Sequence, residues 1–589
     1  MRTFTTLCRT LHIGSYYLKH RLLKAFAPTI ILLLLLTPSL GIAATFVVNS
    51  TSNEQESFDT IGDGECLTTS GVCTFVAAIV EAEFSPTFDI IDLTNINGTI
   101  EVSSFEFEQP LELRGAGVTI QSGNDNLRWR GDGSIISGIE FIGFRSLVLE
   151  GENQTFSNNI VRDGAGVSSR NSYSIIEDNR VYNTSSFVAI DVAGSSTGDT
   201  NIGSIVRNNI IGFDENDSAA TGTSSVGIRA AGSEVLVEGN TSHGFYAGFY
   251  LVALSDSTIA NNRIGDSNGQ SGNGAVVTGG VAGHGIWSIN GSNNIYSANA
   301  VNGHAVNGIL LEGSTGAQLL FNEYSNNGNA GITATQPGNI FERNSLVGNS
   351  GLAIDLLNDG IINNINTDNL PNPPSVSVVN DNGTQLLKGQ FNDPEFINNE
   401  LSYCLSVSTS CPSGLSNAEF NLQCINGNSD NSGQGNFSTP ALNLIPEGRY
   451  ITATVTTSSG SSELSSCSQV PPLEPVTEPL EFYSLNAWVL NPRSAKPLLG
   501  VFLGSGTNDV TRIDINSLTL GNAPGSVITT SDVNEDGYMD LLVKFSGKQT
   551  GARCGDSLLT LNGQIAGDSF EKELQLRMVG CNGKAKGRG

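Results

Sequence analysis

The residues with the clearest chemical pattern lie between 532 and 540, in the segment DVNEDGYMD. The candidate ligands alternate along it: the side chains of Asp532, Asn534, Asp536 and Asp540, and the main-chain carbonyl of Tyr538. Hard oxygen donors at this spacing can wrap a large, hard cation, so the segment predicts a structural calcium site. The alternative is a turn that is stabilised by its own Asp and Asn side chains and holds no metal.

The twelfth position of this loop is Val543, where a helix–loop–helix calcium site has a bidentate glutamate. The departure favours a loop similar to those of dockerins or integrins, followed by the strand LLVKF. It also predicts weaker calcium affinity.

A repeated spacing shows which elements make up the larger part of the chain. Between Gly166 and Asn344 an apolar residue follows a small one six times, and an asparagine comes 12 or 13 positions later. The repeat returns every 20 to 23 residues where nothing is inserted, as at Ile286, Ile309 and Ile332. Short runs of alternating apolar and polar residues within each unit favour strands, so each unit is predicted to be one coil of a parallel β-solenoid.

The recurrent asparagines are predicted to stack from coil to coil. Asparagine tolerates the left-handed backbone conformation of a turn, and its amide can bond to the equivalent amide of the next coil. The predicted ladder, whose role is to hold turns, consists of Asn159, Asn179, Asn209, Asn240, Asn262, Asn299, Asn322 and Asn344.

Two insertions interrupt the repeat. The spacing from Asn209 to Ile228 is 19 residues and from Asn262 to Ile286 is 24 residues, whereas neighbouring coils use 9 or 10. Both start from the same kind of sequence, two asparagines followed by any residue, isoleucine and glycine. They are therefore predicted to protrude on one side of the solenoid, and such insertions on a regular scaffold usually carry ligand-binding residues.

The N-terminus and the charge indicate an exported protein. The first 44 residues contain five basic residues, no acidic ones, an apolar run from Ile30 to Leu36, and the small-residue sequence GIAA. This pattern predicts a signal peptide, with no later segment that could span a bilayer. The chain has a net charge of −28, and removal of the leader leaves 24 basic against 57 acidic residues, near −33. Such a charge disfavours nucleic acid, anionic membranes and polyuronates as partners unless calcium intervenes.

The cysteines agree with export. Eight remain after the leader, as two, four and two in separate regions, and an even number in an exported chain favours disulfides over a zinc site. The predicted pairs are Cys66 with Cys73 and Cys554 with Cys581. The middle four leave three connectivities open, and they are Cys404, Cys411, Cys424 and Cys467.

The segment after the leader resembles a known N-terminal module. Gly62-Asp63-Gly64 and Cys66, then Cys73 and the run Ala78-Ile79-Val80-Glu81-Ala82, are similar to the CSLREA-type cap that precedes many bacterial right-handed β-helices. The chain departs from that pattern at Val76 and Glu83. The resemblance implies a right-handed parallel β-helix with a polar cap at its open end.

The remaining sequence resembles two further modules of secreted bacterial proteins. Alternating strands after PNPPSV look like an Ig-like β-sandwich, for which a spacer role is favoured over ligand binding. The segment from Gly504 to Cys581 is similar to a C-terminal module that contains the calcium loop. The predicted fold is therefore all-β: signal peptide 1–44, cap 45–100, β-helix 101–370, sandwich 371–470, proline-rich linker 471–480, and a β-rich calcium-loop domain 481–589.

Catalysis is not favoured, although parallel β-helices include polysaccharide-degrading enzymes. No lysine lies between Lys24 and Lys388, which excludes lysine as the base of a lyase in the solenoid. His243, His284 and His304 lie near coil starts and could approach one another, but the other residues of a polygalacturonase site are not in order around them.

Two classes of function therefore follow. The favoured class is an exported, non-catalytic surface or secreted protein for adhesion or glycan contact, with polysaccharide or a neighbouring cell surface as its partner. The alternative is a polysaccharide lyase or glycoside hydrolase that uses Asp214, Asp217, Asp266 and Arg229. The solenoid aromatics that could stack on sugars, Trp129, Trp287, Tyr246 and Tyr250, are scattered in sequence.

Overall fold

The structure is a computed structural model. It describes residues 43–579 except 58, 195–200, 221, 223–224, 266–282, 361–369, 382–383, 412–416, 473–479, 486–488, 492–495 and 507. Most of the predicted signal peptide, most of the linker 471–480, Asp266 and Cys581 lie outside the described residues. Within the described residues the fold is all-β apart from one α-helix, Phe75–Phe84, and the short 3-10 turns Val510–Arg512 and Gly547–Gln549, which confirms the predicted fold class.

A stack of parallel strands, here called the eleven-strand sheet, forms one side of the solenoid. Each coil contributes one strand, which pairs in parallel with the strands of the coils before and after it. The strands are Phe105–Phe107, Asn126–Trp129, Ser146–Leu149, Val167–Ser169, Val188–Val192, Val226–Ser233, Ala247–Ser255, Ile286–Ile289, Ile309–Glu312, Ile332–Ala334 and Ile354–Leu356.

Two further stacks of short parallel strands form the other sides. The first stack contains Thr155–Ser157, Ile175–Glu177, Ile205–Arg207, Leu236–Glu238, Thr258–Ala260, Ile295–Ser297, Gln318–Leu320 and Ile340–Glu342. The second stack contains Ile160–Arg162, Arg180–Tyr182, Ile210–Ile211, Thr241–Ser242, Arg263–Gly265, Ala300–Asn302, Glu323–Ser325 and Ser345–Val347.

The two stacks merge at their N-terminal ends. The strand Ile135–Ile142 pairs with both stacks and with Leu111–Gln121, which in turn pairs with Asp89–Asp92 and Thr99–Glu101. The first strand, Thr45–Val47, pairs with Asp89–Asp92 and so closes this end of the stack. Along the chain, the helix Phe75–Phe84 comes between these two strands, and a disulfide joins Cys66 to Cys73 just before the helix begins.

The predicted asparagine ladder is present between the first and second stacks. In a typical step, the main-chain N–H and the Nδ2 of Asn240 both donate to Oδ1 of Asn262, at 2.9 and 3.0 Å. Nδ2 of Asn240 also donates to the carbonyl of Val206 at 2.8 Å. The eight asparagines are all buried, and the bond from the main-chain N–H to Oδ1 of the next asparagine is present in each of the seven steps between them.

One detail of the ladder prediction is wrong. The left-handed conformation falls on the residue before each ladder asparagine, with φ of +55° at Asp178 and +56° at Asn208 and Arg343. The asparagine side chain therefore turns inward to bond the next coil, while its neighbour takes the strained backbone position.

Residues 370–472, here called the middle region, form two antiparallel sheets over one apolar core. One sheet contains Ser375–Asp381, Thr384–Asn392 and Gln434–Pro440, and the other contains Glu400–Ser408, Phe420–Asn428, Tyr450–Thr457, Gly460–Ser461 and Ser468–Gln469. Of the three connectivities that the sequence leaves open, the structure has Cys404 paired with Cys424 and Cys411 paired with Cys467.

Residues 480–579, here called the C-terminal region, form a separate β-rich core. Its seven-strand sheet contains Phe482–Ser484, Pro497–Phe502, Thr519–Leu520, Ala523–Ser531, Asp540–Ser546, Leu558–Ile565 and Asp568–Gln575. A two-strand pair, Val489–Leu490 with Arg577–Met578, lies beside it.

Candidate functional site

The outward face of the eleven-strand sheet brings together side chains that are far apart in sequence. Asp191, Arg229, Tyr250 and Trp287 occupy the same register position on four successive strands. The residues on either side of each, such as Ile228 and Ala230 beside Arg229, are fully buried. Because side chains alternate across a strand, these four side chains project outward in one row, with steps of about 4.8 Å between strands.

Tyr250 and Trp287 form a partly exposed aromatic pair within this row. Their ring centroids are 5.2 Å apart and the ring planes are tilted by 46°. Nε1 of Trp287 donates a hydrogen bond of 2.9 Å to Oε2 of Glu312 on the following strand, which fixes the orientation of the indole. Aromatic faces held in this way can stack on the apolar faces of sugar rings.

Next to the aromatic pair, Arg229 and Asp191 form a partly buried ion pair. Nε of Arg229 lies 3.4 Å from Oδ1 of Asp191, which also accepts a 3.1 Å hydrogen bond from the N–H of Ala193. Burial raises the pKa of Asp191, and the charges of Arg229 and Arg170 oppose that rise. The pair presents hydrogen-bond donors and acceptors beside an apolar surface, as sugar-binding sites require.

A groove of about 220 Å³ continues from this pair toward the N-terminal coils. Its lining includes Arg145, Arg170, the exposed ring of Phe187, Asp191 and Arg229. Arg170 contacts Glu150 at 3.0 Å, whereas Arg145 forms no salt bridge within the part of the chain that the structure describes. The groove therefore has more positive than negative side chains, although the chain as a whole has a net charge of −28.

The described lining of the groove contains one carboxylate. Glycoside hydrolases place two carboxyl groups on either side of the scissile bond. Among the described residues, Asp191 is the only carboxylate that lines the groove. Its arginine partner keeps it in a structural ion pair, and no described lysine or histidine lines the groove to act as a base.

The structure places Asp214 and Asp217, from the alternative enzyme prediction, on a different side of the solenoid from Arg229. Asp214 and Asp217 lie in the first insertion, beyond the second stack, where Nη1 of Arg180 contacts Oδ1 of Asp217 at 3.0 Å. Arg229 lies instead on the eleven-strand sheet, and Asp266 is outside the described residues. These four residues are therefore not shown to form one site.

Two of the three candidate histidines lie inside the solenoid, whereas His243 is only partly buried. His284 and His304 are buried, and burial lowers the pKa of each to about 4. The ring of His304 bonds through Nε2 to the carbonyl of Ile264 at 3.2 Å, and His243 stacks on Phe213. Neutral, buried rings in these positions support packing between coils.

The aromatic residues were named from the sequence, but their arrangement was not. Trp129 is fully buried and stacks on Phe107, so it is a core residue and not part of a sugar-binding row. Asp191, Arg145 and Phe187 are not among the residues predicted from the sequence. The available signal was the common offset of Asp191, Arg229, Tyr250 and Trp287 from the small residue that starts each coil.

The predicted calcium loop forms a compact turn. Both oxygens of Asp540, which is fully buried, accept main-chain hydrogen bonds, from Gly504 at 2.8 Å and from Val533 at 2.7 Å. Asp540 thus anchors the loop to the neighbouring strand.

The other predicted ligands of the loop are exposed and lie close together. Asp532 accepts hydrogen bonds from the main chain of Asp536 and Gly537, at 3.2 and 2.8 Å. Nδ2 of Asn534 lies 2.7 Å from Oδ2 of Asp536, and the N–H of Tyr538 donates to Oδ1 of Asp536 at 2.9 Å. The donor set consists of oxygens suited to calcium, and the same hydrogen bonds also suit a turn without metal.

Comparison with known proteins supports the solenoid assignment. Residues 145–319 match the family model described as a right handed beta helix region. Solved structures with distant similarity include the periplasmic alginate epimerase AlgG, at 14% identity and a TM-score of 0.30 over 46% of this chain and 76% of that chain. Tailspike protein 2 from Escherichia coli O157:H7 bacteriophage CAB120 aligns at 10% identity and a TM-score of 0.26, over 82% and 71%.

No curated protein matches the sequence. Among the described residues, no helix has both the length and the apolar character needed to cross a bilayer. Three disulfides are compatible with an extracellular or periplasmic location. The family match and the stacked parallel coils together identify a right-handed parallel β-helix protein.

Proposed function

We propose that this chain is an exported, non-catalytic protein that binds polysaccharide along the outward face of its eleven-strand sheet. The observation that carries the proposal is the row of Asp191, Arg229, Tyr250 and Trp287, which places stacking and hydrogen-bonding groups side by side. A linear glycan lying across the coils would meet the aromatic pair first and the ion pair next. Adhesion to a cell surface is the role that such binding would serve.

The charges of the groove favour an acidic polysaccharide. Arg145 is exposed and, within the described residues, has no acidic partner, so a carboxylate of the ligand can approach it without displacing an existing ion pair. The net negative charge of the chain opposes this approach only weakly, because charges beyond the Debye length of about 8 Å are screened at physiological salt. Salt also screens the attraction between the arginines of the groove and the carboxylates of the ligand. Binding is expected to weaken as salt increases, because this local attraction is the larger effect.

Calcium belongs to the proposal as a structural ion. The loop 532–540 offers Asp532, Asn534 and Asp536 as exposed oxygen ligands, with the carbonyl of Tyr538 as a further one, while Asp540 holds the loop in place. A bound ion would stiffen the C-terminal region and would take no part in contact with the glycan.

The test uses the chain without residues 1–44, with calcium present, and a panel of acidic and neutral polysaccharides. Trp287→Ala should weaken binding about tenfold, since truncating a central aromatic contact costs on the order of 1–2 kcal/mol. Tyr483→Ala, which removes an exposed aromatic ring from the C-terminal region, is the control and should leave binding unchanged.

Equal binding by the wild type and Trp287→Ala would contradict the proposed surface. Release of unsaturated or reducing ends, measured in the same samples, would show an enzyme and would contradict the non-catalytic assignment.

A further inference from the structure

Three carboxylates converge in the N-terminal segment, far from the groove and from the loop 532–540. Glu56 lies in a short bridge with Thr68, Asp63 lies in the turn between two glycines, and Glu81 lies on the helix Phe75–Phe84. One carboxylate oxygen from each of these residues lies within 4.8 Å of those of the other two. Among the described residues, this is the one group of three acidic, histidine or cysteine side chains with that property.

The turn is built around Glu81. Its Oε1 accepts a hydrogen bond of 2.6 Å from the N–H of Gly62, and its Oε2 accepts one of 2.9 Å from Gly64. Gly62 and Gly64 have φ of +87° and +84°, which glycine adopts without strain. Oδ1 of Asp63, between them, accepts a hydrogen bond of 2.8 Å from the N–H of Glu65. These contacts fix two of the carboxylates.

The third carboxylate is buried. Glu56 is only 6% exposed, and within the described residues neither of its oxygens has a hydrogen-bond partner. No described arginine or lysine forms a salt bridge with Glu56, Asp63 or Glu81. An isolated buried carboxylate is strongly unfavourable unless a cation or a proton accompanies it.

We propose that Glu56, Asp63 and Glu81 bind a calcium ion. Calcium–oxygen distances are about 2.3–2.6 Å, so oxygens on opposite sides of one ion are up to about 5 Å apart, which matches the observed spacing. The donor set contains only carboxylate oxygens, whereas zinc and copper sites use nitrogen or sulfur ligands. Calcium also tolerates irregular coordination geometry. Glu81 and Asp63 already accept main-chain hydrogen bonds, and their remaining lone pairs can still coordinate the ion.

The ion would connect three parts of the N-terminal segment. It would bind the turn at residues 62–64 to the helix and to the strand position of Glu56, close to the disulfide between Cys66 and Cys73. The segment covers the first coil, since its strand Thr45–Val47 pairs with Asp89–Asp92. Calcium would thus stabilise the cap of the solenoid independently of the C-terminal region.

The experiment is a calcium titration by calorimetry on the chain without residues 1–44, in a background that carries Asp536→Ala to remove the loop 532–540. This background should bind one calcium ion per chain, with a Kd in the range of about 10⁻⁴–10⁻³ M that is typical of extracellular sites. Glu56→Gln should abolish that binding, and Asp63→Asn, which can still accept the hydrogen bond from Glu65, should weaken it at least tenfold. Glu65→Gln removes a neighbouring exposed carboxylate and should change the affinity less than twofold.

Two results would overturn the proposal. One is the absence of calcium binding by the Asp536→Ala background. The other is binding that survives unchanged in both Glu56→Gln and Asp63→Asn, provided that circular dichroism shows all variants folded. Absence of binding together with a higher thermal midpoint of Glu56→Gln would indicate that Glu56 carries a proton in place of a metal ion.

Discussion

At the scale of single residues, the ladder asparagines satisfy buried main-chain groups at every coil. Asn240 illustrates this, because its Oδ1 accepts hydrogen bonds from both the N–H and the Nδ2 of Asn209, at 3.0 and 2.9 Å. Its own Nδ2 donates to the carbonyl of Val206 and to Oδ1 of Asn262. The side chain therefore serves two neighbouring coils, and no apolar residue of similar size can replace it.

We predict that Asn240→Ala lowers the free energy of unfolding by about 2–4 kcal/mol, because it leaves several buried polar groups without partners at about 1–3 kcal/mol each. Chemical denaturation of the full chain measures this. The control is Asn216→Ala in the first insertion, an exposed asparagine that should cost less than about 0.5 kcal/mol. Equal effects of the two substitutions would contradict the role given to the ladder.

The buried histidines predict a loss of stability in mild acid. His304 has a pKa of about 4 because it is buried, with His284 and His243 nearby, whereas an unfolded histidine titrates near 6.5. Between pH 6.5 and pH 4 the unfolded state therefore binds a proton at His304 that the folded state does not bind. The free energy of unfolding is highest above pH 6.5 and falls as the pH decreases toward 4. At pH 5 the loss is about 2 kcal/mol for this histidine.

The variant that checks this is His304→Gln, which stays neutral and can still donate to the carbonyl of Ile264. Denaturation at pH 7 and at pH 5 should show a smaller decrease for the variant than for the wild type, by about 2 kcal/mol. A decrease of the same size in both proteins would show that His304 does not carry the pH dependence.

At the scale of elements, local patterns predicted stacking well and predicted sites poorly. The offset from Ile228 to Asn240 and its repeats revealed the coils, because every coil meets the same neighbours and so keeps the same residues. The same repeat aligns Tyr250 with Trp287, because each directly follows the apolar residue that begins its coil. That these aligned residues form an outward-facing row depends on the orientation of their side chains, which the repeat of apolar residues and asparagines does not specify.

The N-terminal segment gives a second example. Gly62, Asp63, Gly64 and Glu81 were recognised as a motif, yet their common function depends on a contact between a turn and a helix face. Glu56 was outside the motif and was missed, since nothing in its local sequence shows that its side chain is buried. Long-range convergence of charged groups is the part of a site that one sequence alone reveals least.

The loop 532–540 predicts that chelation of calcium destabilises the C-terminal region, in addition to any effect on the cap. A ligand at ten times its Kd stabilises the folded state by about 1.4 kcal/mol, which corresponds to several degrees for a domain of about 100 residues. Removing calcium should therefore lower the thermal midpoint of the C-terminal region by that amount in scanning calorimetry of the full chain. Asp536→Ala should abolish the response, and Asp568→Asn, an exposed carboxylate in the same region, should retain it.

At the scale of the whole molecule, the middle region closes the C-terminal end of the solenoid. Leu346 and Ala418 exchange main-chain hydrogen bonds of 2.7 and 2.9 Å, and Oε1 of the buried Glu463 accepts one of 2.8 Å from the N–H of Leu356. Ala418 and Leu464 belong to the apolar core of the solenoid. These contacts cover the last coils, a role that the spacer predicted from the sequence does not include and does not exclude.

Closure at both ends predicts that the solenoid and the middle region unfold together. Leu464 is 5% exposed and packs against the solenoid core, so Leu464→Ala should cost about 2–5 kcal/mol. Because the lost contacts join the two parts, scanning calorimetry should show one shared transition in the wild type and two separated transitions in the variant. Leu442→Ala, in the same region but 75% exposed, is the matched control and should keep the shared transition. Separate transitions already present in the wild type would mean that the junction forms without coupling the stability of the two parts.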